Sequence, residues 1–404
     1  MKNKLSINSS SSKKNSEQTD KSLPKVVPSF SERGRGEALT IGIIGAGSFA
    51  AFAANAFLKI KGVKVIAVSD INEQAGKQLA KELNAKFYPL YNELLKDKNV
   101  DLVYIATPPF LHFNISKDAL FAGKHVICEK PAALKTSEAE ELQGLAKKKN
   151  LLYAVNLMQR YNPLFGVVKK IIDEKILGSF LHGFFENYAS DENLNEKHWF
   201  WDEEKSGGIF IEHGVHFFDL FSGWLGKGKL INAFQLHREN TGRKIYDRVQ
   251  ASVLYNNGVV NFYHGFDQPK ILDRQEMRLQ FEIGEITLYG WIPVQMKLHG
   301  LLKKDKLKRL QQLIGPCTIT KANEDDTQKK VKGRFTEIIF NEEVTIESGN
   351  NDEKQNRYQQ MLTDMLTDQW AWLKDKHYKR IIDDDNAIES IRMAERAKEM
   401  AQNF

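Results

Sequence analysis

Cysteine is nearly missing from this 404-residue chain: Cys128 and Cys317 are the only two, and they form no C-x-x-C pair. That scarcity excludes a disulfide framework and a cysteine-rich metal site, and it points to a reducing, cytoplasmic setting. Long apolar runs are missing as well. The best of them, residues 49–58, is short and carries Asn55, far from the roughly 20 apolar residues a bilayer demands, so no membrane partner is expected. Nothing near the N-terminus resembles the apolar core of a secretory signal, and Glu17, Asp20, Glu32 and Glu37 are at odds with an acid-poor transit peptide. An H-E-x-x-H pair is also absent. His213 and His216 with Glu212 beside them, and His198 and His264 elsewhere, do not make a ligand pattern, so no metal is expected.

What is present is size and apolar content. Hydrophobic residues make up 42% and charged residues 27% of the chain, enough for a sizeable core, and the length favours two domains. The net charge of +6 would fit a nucleic-acid partner, but its distribution does not. Residues 1–40 hold eight Lys/Arg against four Asp/Glu, which leaves only +2 for the other 364 positions. Residues 1–39, rich in Ser, Lys and Asn, are expected to form a disordered basic tail, and no nucleic-acid partner is expected.

From residue 40 apolar runs at 39–44, 63–69, 101–107, 125–128 and 151–156 alternate with helical patterns at 49–60, 72–83, 110–122 and 136–149. Strands alternating with helices predict βαβ units and a parallel sheet, so residues 40–157 are expected to form one doubly wound α/β domain. The rhythm then changes. Helical patterns at 161–176 and 209–225 and strand patterns at 180–188, 249–255, 259–265, 277–283 and 285–289, joined by short turns, predict an antiparallel sheet within a second domain over 158–404. Residues 298–352 follow no clear period. Two amphipathic helices are expected within 356–402, with Trp370 and Trp372 packing.

Three motifs carry the chemistry. Gly45-Ala46-Gly47-Ser48-Phe49-Ala50 follows the first strand and opens the first helix, matching G-x-G-x-x-G/A. Gly45 suits the tight turn, Gly47 lets a pyrophosphate approach, and the helix N-terminus at Ser48 and Phe49 offers free N–H groups. Asp70, 20 residues beyond Ala50, ends the second strand where a carboxylate can accept from an adenosine ribose. It would repel a 2′-phosphate, and Ile71, Asn72 and Glu73 bring no compensating cation, so NAD is expected over NADP. The second motif, Glu129-Lys130-Pro131, ends a strand facing the ligand crevice. The third runs from Ser206-Gly207-Gly208 through Glu212, His216 and Asp219, which share one face if the segment is an α-helix.

Together these motifs resemble the Gfo/Idh/MocA dehydrogenases, over about residues 40–289. The resemblance implies an N-terminal Rossmann dinucleotide-binding domain and a C-terminal α/β domain with an open, mainly antiparallel sheet that carries a homodimer or homotetramer interface. It implies that Lys130 and His216 are catalytic and that Glu212 is the acid paired with them. The family commonly has aspartate at that place, so the extra methylene of Glu212 leaves its role open. Thr107-Pro108-Pro109 with His112 resembles the nicotinamide-side loop, and Glu129 and Lys130 stand beside it. Gln159 and Arg160 are candidate contacts to substrate. Trp199 and Trp201, flanked by His198 and Asp202, either stack on a sugar-like ring or pack the domain. The expected reaction is hydride exchange between a nicotinamide and a secondary alcohol or ketone of a polyol, sugar or related small molecule. The alternatives are a dinucleotide sensor without turnover and a lyase or glycosidase that recycles bound NAD.

Overall fold

The computed structural model describes residues 38–402, except 192–193, 239–241, 243, 323–326, 334–335 and 351–352. The tail expected over residues 1–39 therefore lies outside the described residues up to 37, and Leu39 already belongs to the first strand. The first layer runs β1 (Leu39–Ile44), α1 (Ser48–Phe57), β2 (Val63–Ser69), α2 (Glu73–Glu82), β3 (Lys86–Tyr88), α3 (Tyr91–Leu95), β4 (Leu102–Ile105), α4 (His112–Phe121), β5 (His125–Cys128), α5 (Thr136–Lys149) and β6 (Tyr153–Val155). All pairings are parallel, in the order β3-β2-β1-β4-β5-β6. Every residue of β4, β5 and β6 is buried, as a sheet covered by helices on both faces requires. Two elements of this layer escaped the sequence reading, as the helix Glu203–Ser206 and the strand Lys229–Arg238 of the second layer do. β3 has only three residues and α3 five, too few to show a period.

The second layer adds α6 (Pro163–Asp173), β7 (Phe180–Tyr188), α7 (Glu203–Ser206), α8 (Val215–Leu225), β8 (Lys229–Arg238), β9 (Ile245–Tyr255), β10 (Gly258–Gly265), β11 (Arg274–Phe281), β12 (Gly284–Tyr289), β13 (Gln295–Leu302), α9 (Lys304–Ile314), β14 (Thr318–Lys321), β15 (Lys329–Gly333), β16 (Thr336–Phe340) and β17 (Glu342–Ser348). Nine of these strands form one sheet, β14-β17-β13-β12-β11-β7-β10-β9-β8. It is antiparallel except between β7 and β10. The exception arises because α8, β8 and β9 intervene between β7 and β10, so the chain returns to β7 running the same way. β15 and β16 form a separate hairpin. The stretch without a clear period thus supplies β13, β14 and β17 to the large sheet, and α9 buries Leu307 and Leu310.

Two long helices close the chain, α10 (Lys354–Lys374) and α11 (Asp384–Ala401). α10 lies on α1, with Thr363 Oγ1 donating to Ala56 O at 3.3 Å. Trp370 is buried and covers Gly62, where an added Cβ would sit 3.0 Å from the indole. α11 packs on α5, α8 and β8. Both therefore rest partly on the first layer rather than on the second alone.

His125 opens β5 as a buried imidazole whose Nδ1 accepts the Leu152 N–H at 3.1 Å. Burial, aided by the nearby Lys376 charge, pushes its pKa down to about 3. An unfolded histidine titrates near 6.5, so stability is full above that pH and falls below it by about 1.4 kcal/mol per pH unit. Urea midpoints at pH 7 and pH 5 should show this decline, and His125→Asn, which keeps an acceptor without a titrating ring, should shrink it. An undiminished decline in the variant would mean that other groups cause it.

Candidate active site

The glycine turn has two unlike glycines. Gly45 sits at φ +100°, and a Cβ there would lie 2.4 Å from the Ala106 carbonyl. Gly47 is exposed, caps α1 with extended backbone, and an added Cβ would meet nothing within 4 Å. No side chain caps α1, so its first N–H groups face that open space with the positive end of the helix dipole. Ser48 is exposed and Phe49 half-buried beside it. The residues present fit a dinucleotide phosphate. Asp70 braces the turn: its Oδ2 accepts from Ala46 N–H at 2.6 Å and its Oδ1 from Asn72 N–H at 2.7 Å.

Across the strand ends, His112 begins α4 with Nδ1 2.7 Å from Pro131 O and Nε2 2.7 Å from Thr107 O. It thereby ties the Thr107-Pro108 loop to the end of β5, where the Lys130–Pro131 peptide is cis. The Thr107 hydroxyl is buried with no partner among the described residues. Glu129 turns inward, accepting from the Tyr104 hydroxyl and from Asn156 Nδ2 at 2.8 Å. Burial pushes its pKa up.

Lys130 reaches across to the second layer. Its Nζ donates to Glu212 Oε1 at 2.5 Å and to the Glu212 carbonyl at 2.8 Å. Both side chains are largely buried, 16% and 10% exposed. Burial opposes a charge on Glu212, yet the Lys130 ammonium, with His213 beside it, outweighs burial and holds the carboxyl far below the usual range. The segment was expected to be one α-helix from 209 to 225. Instead Phe210–Gly214 is a π-helical turn leading into α8, preceded by Gly207 and Gly208 at φ +82° and +85°. Such wide turns recur at functional sites because they re-aim side chains and carbonyls.

One turn on, His216 is buried, with Nδ1 unpartnered among the described residues. Burial first, then the Lys130 charge, pushes its pKa well below the ordinary value, so it is a neutral imidazole at neutral pH. Asp219 does not join this cluster. It forks with Arg160, Nε to Oδ2 at 2.7 Å and Nη2 to Oδ1 at 2.8 Å. Arg160, expected near substrate, is therefore bound to α8. Gln159 is buried and donates to Trp291 O at 2.7 Å, while its Oε1 has no partner among the described residues. Trp201 is buried against Phe200 and Phe266 with Arg238 over its ring, which is the packing alternative. Trp199 is half-buried beside His198.

Three residues at the cluster had no motif to announce them. Trp291, just past β12, stands edge-on to His216 with ring centroids 5.7 Å apart, and 4.9 Å from His213. His264 on β10 is buried with neither ring nitrogen partnered among the described residues. His213 places Nε2 3.0 Å from Glu212 Oε2. The only sequence signal was the density of histidines around Glu212, weighed there as a metal pattern. The described residues contain no cluster able to hold a metal ion.

Residues 39–157 match the oxidoreductase family with an NAD-binding Rossmann fold, and residues 165–284 match the GFO/IDH/MocA C-terminal domain. Among curated proteins, an uncharacterized oxidoreductase of Schizosaccharomyces pombe is 39% identical over 33% of this chain and 35% of its own. Glucose-6-phosphate 3-dehydrogenase of Bacillus subtilis is 30% identical over 45% of this chain and 52% of its own. The chain thus spans about a third to a half of the length of these relatives. Among solved structures, the WlbA dehydrogenase of Bordetella pertussis, crystallised with NADH and UDP-GlcNAcA, superposes with a TM-score of 0.72 at 16% identity, covering 91% of this chain and 96% of that one. That likeness extends the shared fold over nearly the whole length. With both of its domains matched in order, the chain belongs to the Gfo/Idh/MocA oxidoreductase family.

Proposed function

We propose that this protein transfers a hydride between a nicotinamide cofactor and a secondary alcohol or ketone carbon of a polyol, sugar or related small molecule. The observation that carries the reading is the buried contact of Lys130 with Glu212 beside a neutral His216, at the carboxyl ends of the strands that also present the glycine turn. A bound nicotinamide supplies the hydride chemistry. Gly45, Gly47, Ser48 and Phe49 would hold its phosphates, Asp70 the adenosine ribose, and Thr107, Pro108 and His112 the nicotinamide side. Glu129 supports that side through Tyr104 and Asn156.

The rest follows from the side chains. His216, being neutral, takes the hydroxyl proton during oxidation and returns it during reduction. The Lys130 ammonium stabilises negative charge developing on the same oxygen. Glu212 holds Lys130 in place and offsets its charge. Trp291, Trp199 and the free Oε1 of Gln159 form the substrate wall, an apolar face with a few polar atoms. NAD is the preferred cofactor, because a 2′-phosphate would meet the Asp70 carboxylate without a cation at Ile71, Asn72 or Glu73. We place the protein in the cytoplasm, where Cys128 and Cys317 stay free thiols. We further read it as a homo-oligomer formed through the open face of the large sheet, where Phe184, Tyr188, Tyr263 and Tyr289 are half-buried.

Three outcomes check this reading. An NADH-absorbance screen over polyols and sugars should find a substrate, and Lys130→Met and His216→Ala should each cut its turnover by about 10²–10⁴-fold with nucleotide still bound. Undiminished turnover in both variants would sink the assignment. Tightly retained nucleotide with no net NADH from any alcohol would favour internal recycling. The acid limb of kcat/KM for oxidation should lie below pH 6.5, because activity is lost only as pH falls through the lowered value of His216; a limb above 6.5 would exclude His216 as the base. Gly47→Val fills space that no protein atom occupies, so its melting temperature should be unchanged while NAD affinity falls at least about tenfold. Unaltered affinity would place the phosphates elsewhere.

A further inference from the structure

His213 is not part of the three motifs, yet it touches the acid at their centre. Its Nε2 lies 3.0 Å from Glu212 Oε2, a close approach not aligned as a hydrogen bond, while the other oxygen, Oε1, receives Lys130 at 2.5 Å. Adjacent residues of an α-helix point about 100° apart and do not face each other. Here the contact exists within the π-helical turn Phe210–Gly214, and with a glutamate, whose carboxylate extends about 1.5 Å further than an aspartate's. The ring of His213 is wedged among Phe266, Trp291 and Phe200, with centroids 4.7, 4.9 and 5.6 Å away. That aromatic nest fixes which nitrogen meets the carboxylate.

We infer that His213 is a positioning residue, forming with the longer Glu212 one device that braces the second carboxylate oxygen and aims the first at Lys130. The inference rests on the reading of Lys130, Glu212 and His216 as the reactive cluster. The groups facing this device are Lys130 from the end of β5, His112 from α4, His216 from α8 and His264 from β10. Of these, Lys130 and His264 act with His213 to disfavour a proton on His216, and Glu212 opposes them. Removing His213 therefore lets His216 accept a proton at higher pH, and it also releases Glu212 toward the ordinary carboxylate range.

The test uses the full chain with ¹⁵N-labelled histidine rings and ¹³C-labelled glutamate carboxyls, free of substrate. His213→Phe keeps the aromatic volume, and His213→Gln keeps a donor without a charge. In both, the midpoint of His216 should rise by roughly half a pH unit or more, and that of Glu212 should rise with it. Should the phenylalanine variant fail to fold, the glutamine variant decides. Glu212→Asp shortens the reach, so adding His213→Phe to it should shift His216 no further. Midpoints unchanged in the folded variants, or a full additional shift on the aspartate background, would overturn the inference, since a merely structural His213 would alter melting temperature alone. If the midpoints move but no alcohol yields NADH, the proposed reaction fails and the inference stands. If Lys130→Met abolishes turnover but the midpoints do not move, the reverse holds.

Discussion

The site depends on one contact, the buried ion pair between Lys130 and Glu212. It joins the end of a strand in the first sheet to a turn in the second layer, 82 residues later in the chain. Taking two charges from water is expensive, and the attraction between them offsets that cost only when further polar groups complete the geometry. Here one does: the Glu212 carbonyl takes a second proton of Lys130, while His213 stands 3.0 Å from the second carboxylate oxygen, which accepts no hydrogen bond among the described residues. Removing one partner of such a buried pair typically costs about 3–5 kcal/mol, because the other charge is left uncompensated. A surface pair would be worth a fraction of that. The contact therefore joins the two layers as well as fixing the Lys130 ammonium in place.

Burial then sets the protonation states around the pair. His216 and His264 are both pushed well below their ordinary values, chiefly by desolvation. Glu129, the residue before Lys130, is pushed up by the same force, while Glu212 is driven down because the Lys130 ammonium, with His213 beside it, overrules burial. Two glutamates on either side of one lysine thus take opposite shifts. The difference lies in partners, since Glu129 meets a hydroxyl and an amide, and Glu212 meets an ammonium and an imidazole. Such divergence between neighbouring titratable groups is the arrangement acid–base chemistry uses.

Much of this was legible in the residues, for identifiable reasons. The apolar runs of β4, and of β5 after its opening His125, read as buried strands, and Gly45 with Gly47 between a strand and a helix read as a phosphate turn. Lys130 and Glu212 were found as motif members, although nothing in their separation showed that they touch. Distance across a fold is a tertiary property. Where reading failed, the physics is local. β3 is too short to carry a period, and the π-helical turn replaced an expected α-helix because helical spacing alone cannot distinguish the two. Arg160 looked like a ligand contact by its place after β6, but a buried Asp219 claims its guanidinium. Trp291 stands alone after a turn, with no spacing to relate it to His216.

The stretches poorest in motifs also matter to the site, through distance. A contact between two layers holds only if the layers are fixed relative to each other, and the terminal helices do much of this. α10 grips α1, and its Asp368 receives the Tyr161 hydroxyl at 2.6 Å near the point where the chain passes between layers. α11 engages α5 through Glu395 on Thr136 N–H at 2.9 Å and Arg392 on Glu140 at 2.8 Å. Its Asn386 reaches Asp219 on α8, the helix that carries His216. One helix thus touches the first layer and the helix that carries His216 together. A shift of α11 would move His216 relative to Lys130 without altering either residue, and misplacement by about 1 Å can cost roughly a hundredfold in rate. The C-terminal helices therefore help to set the distance between Lys130 and His216, although the three motifs lie outside them.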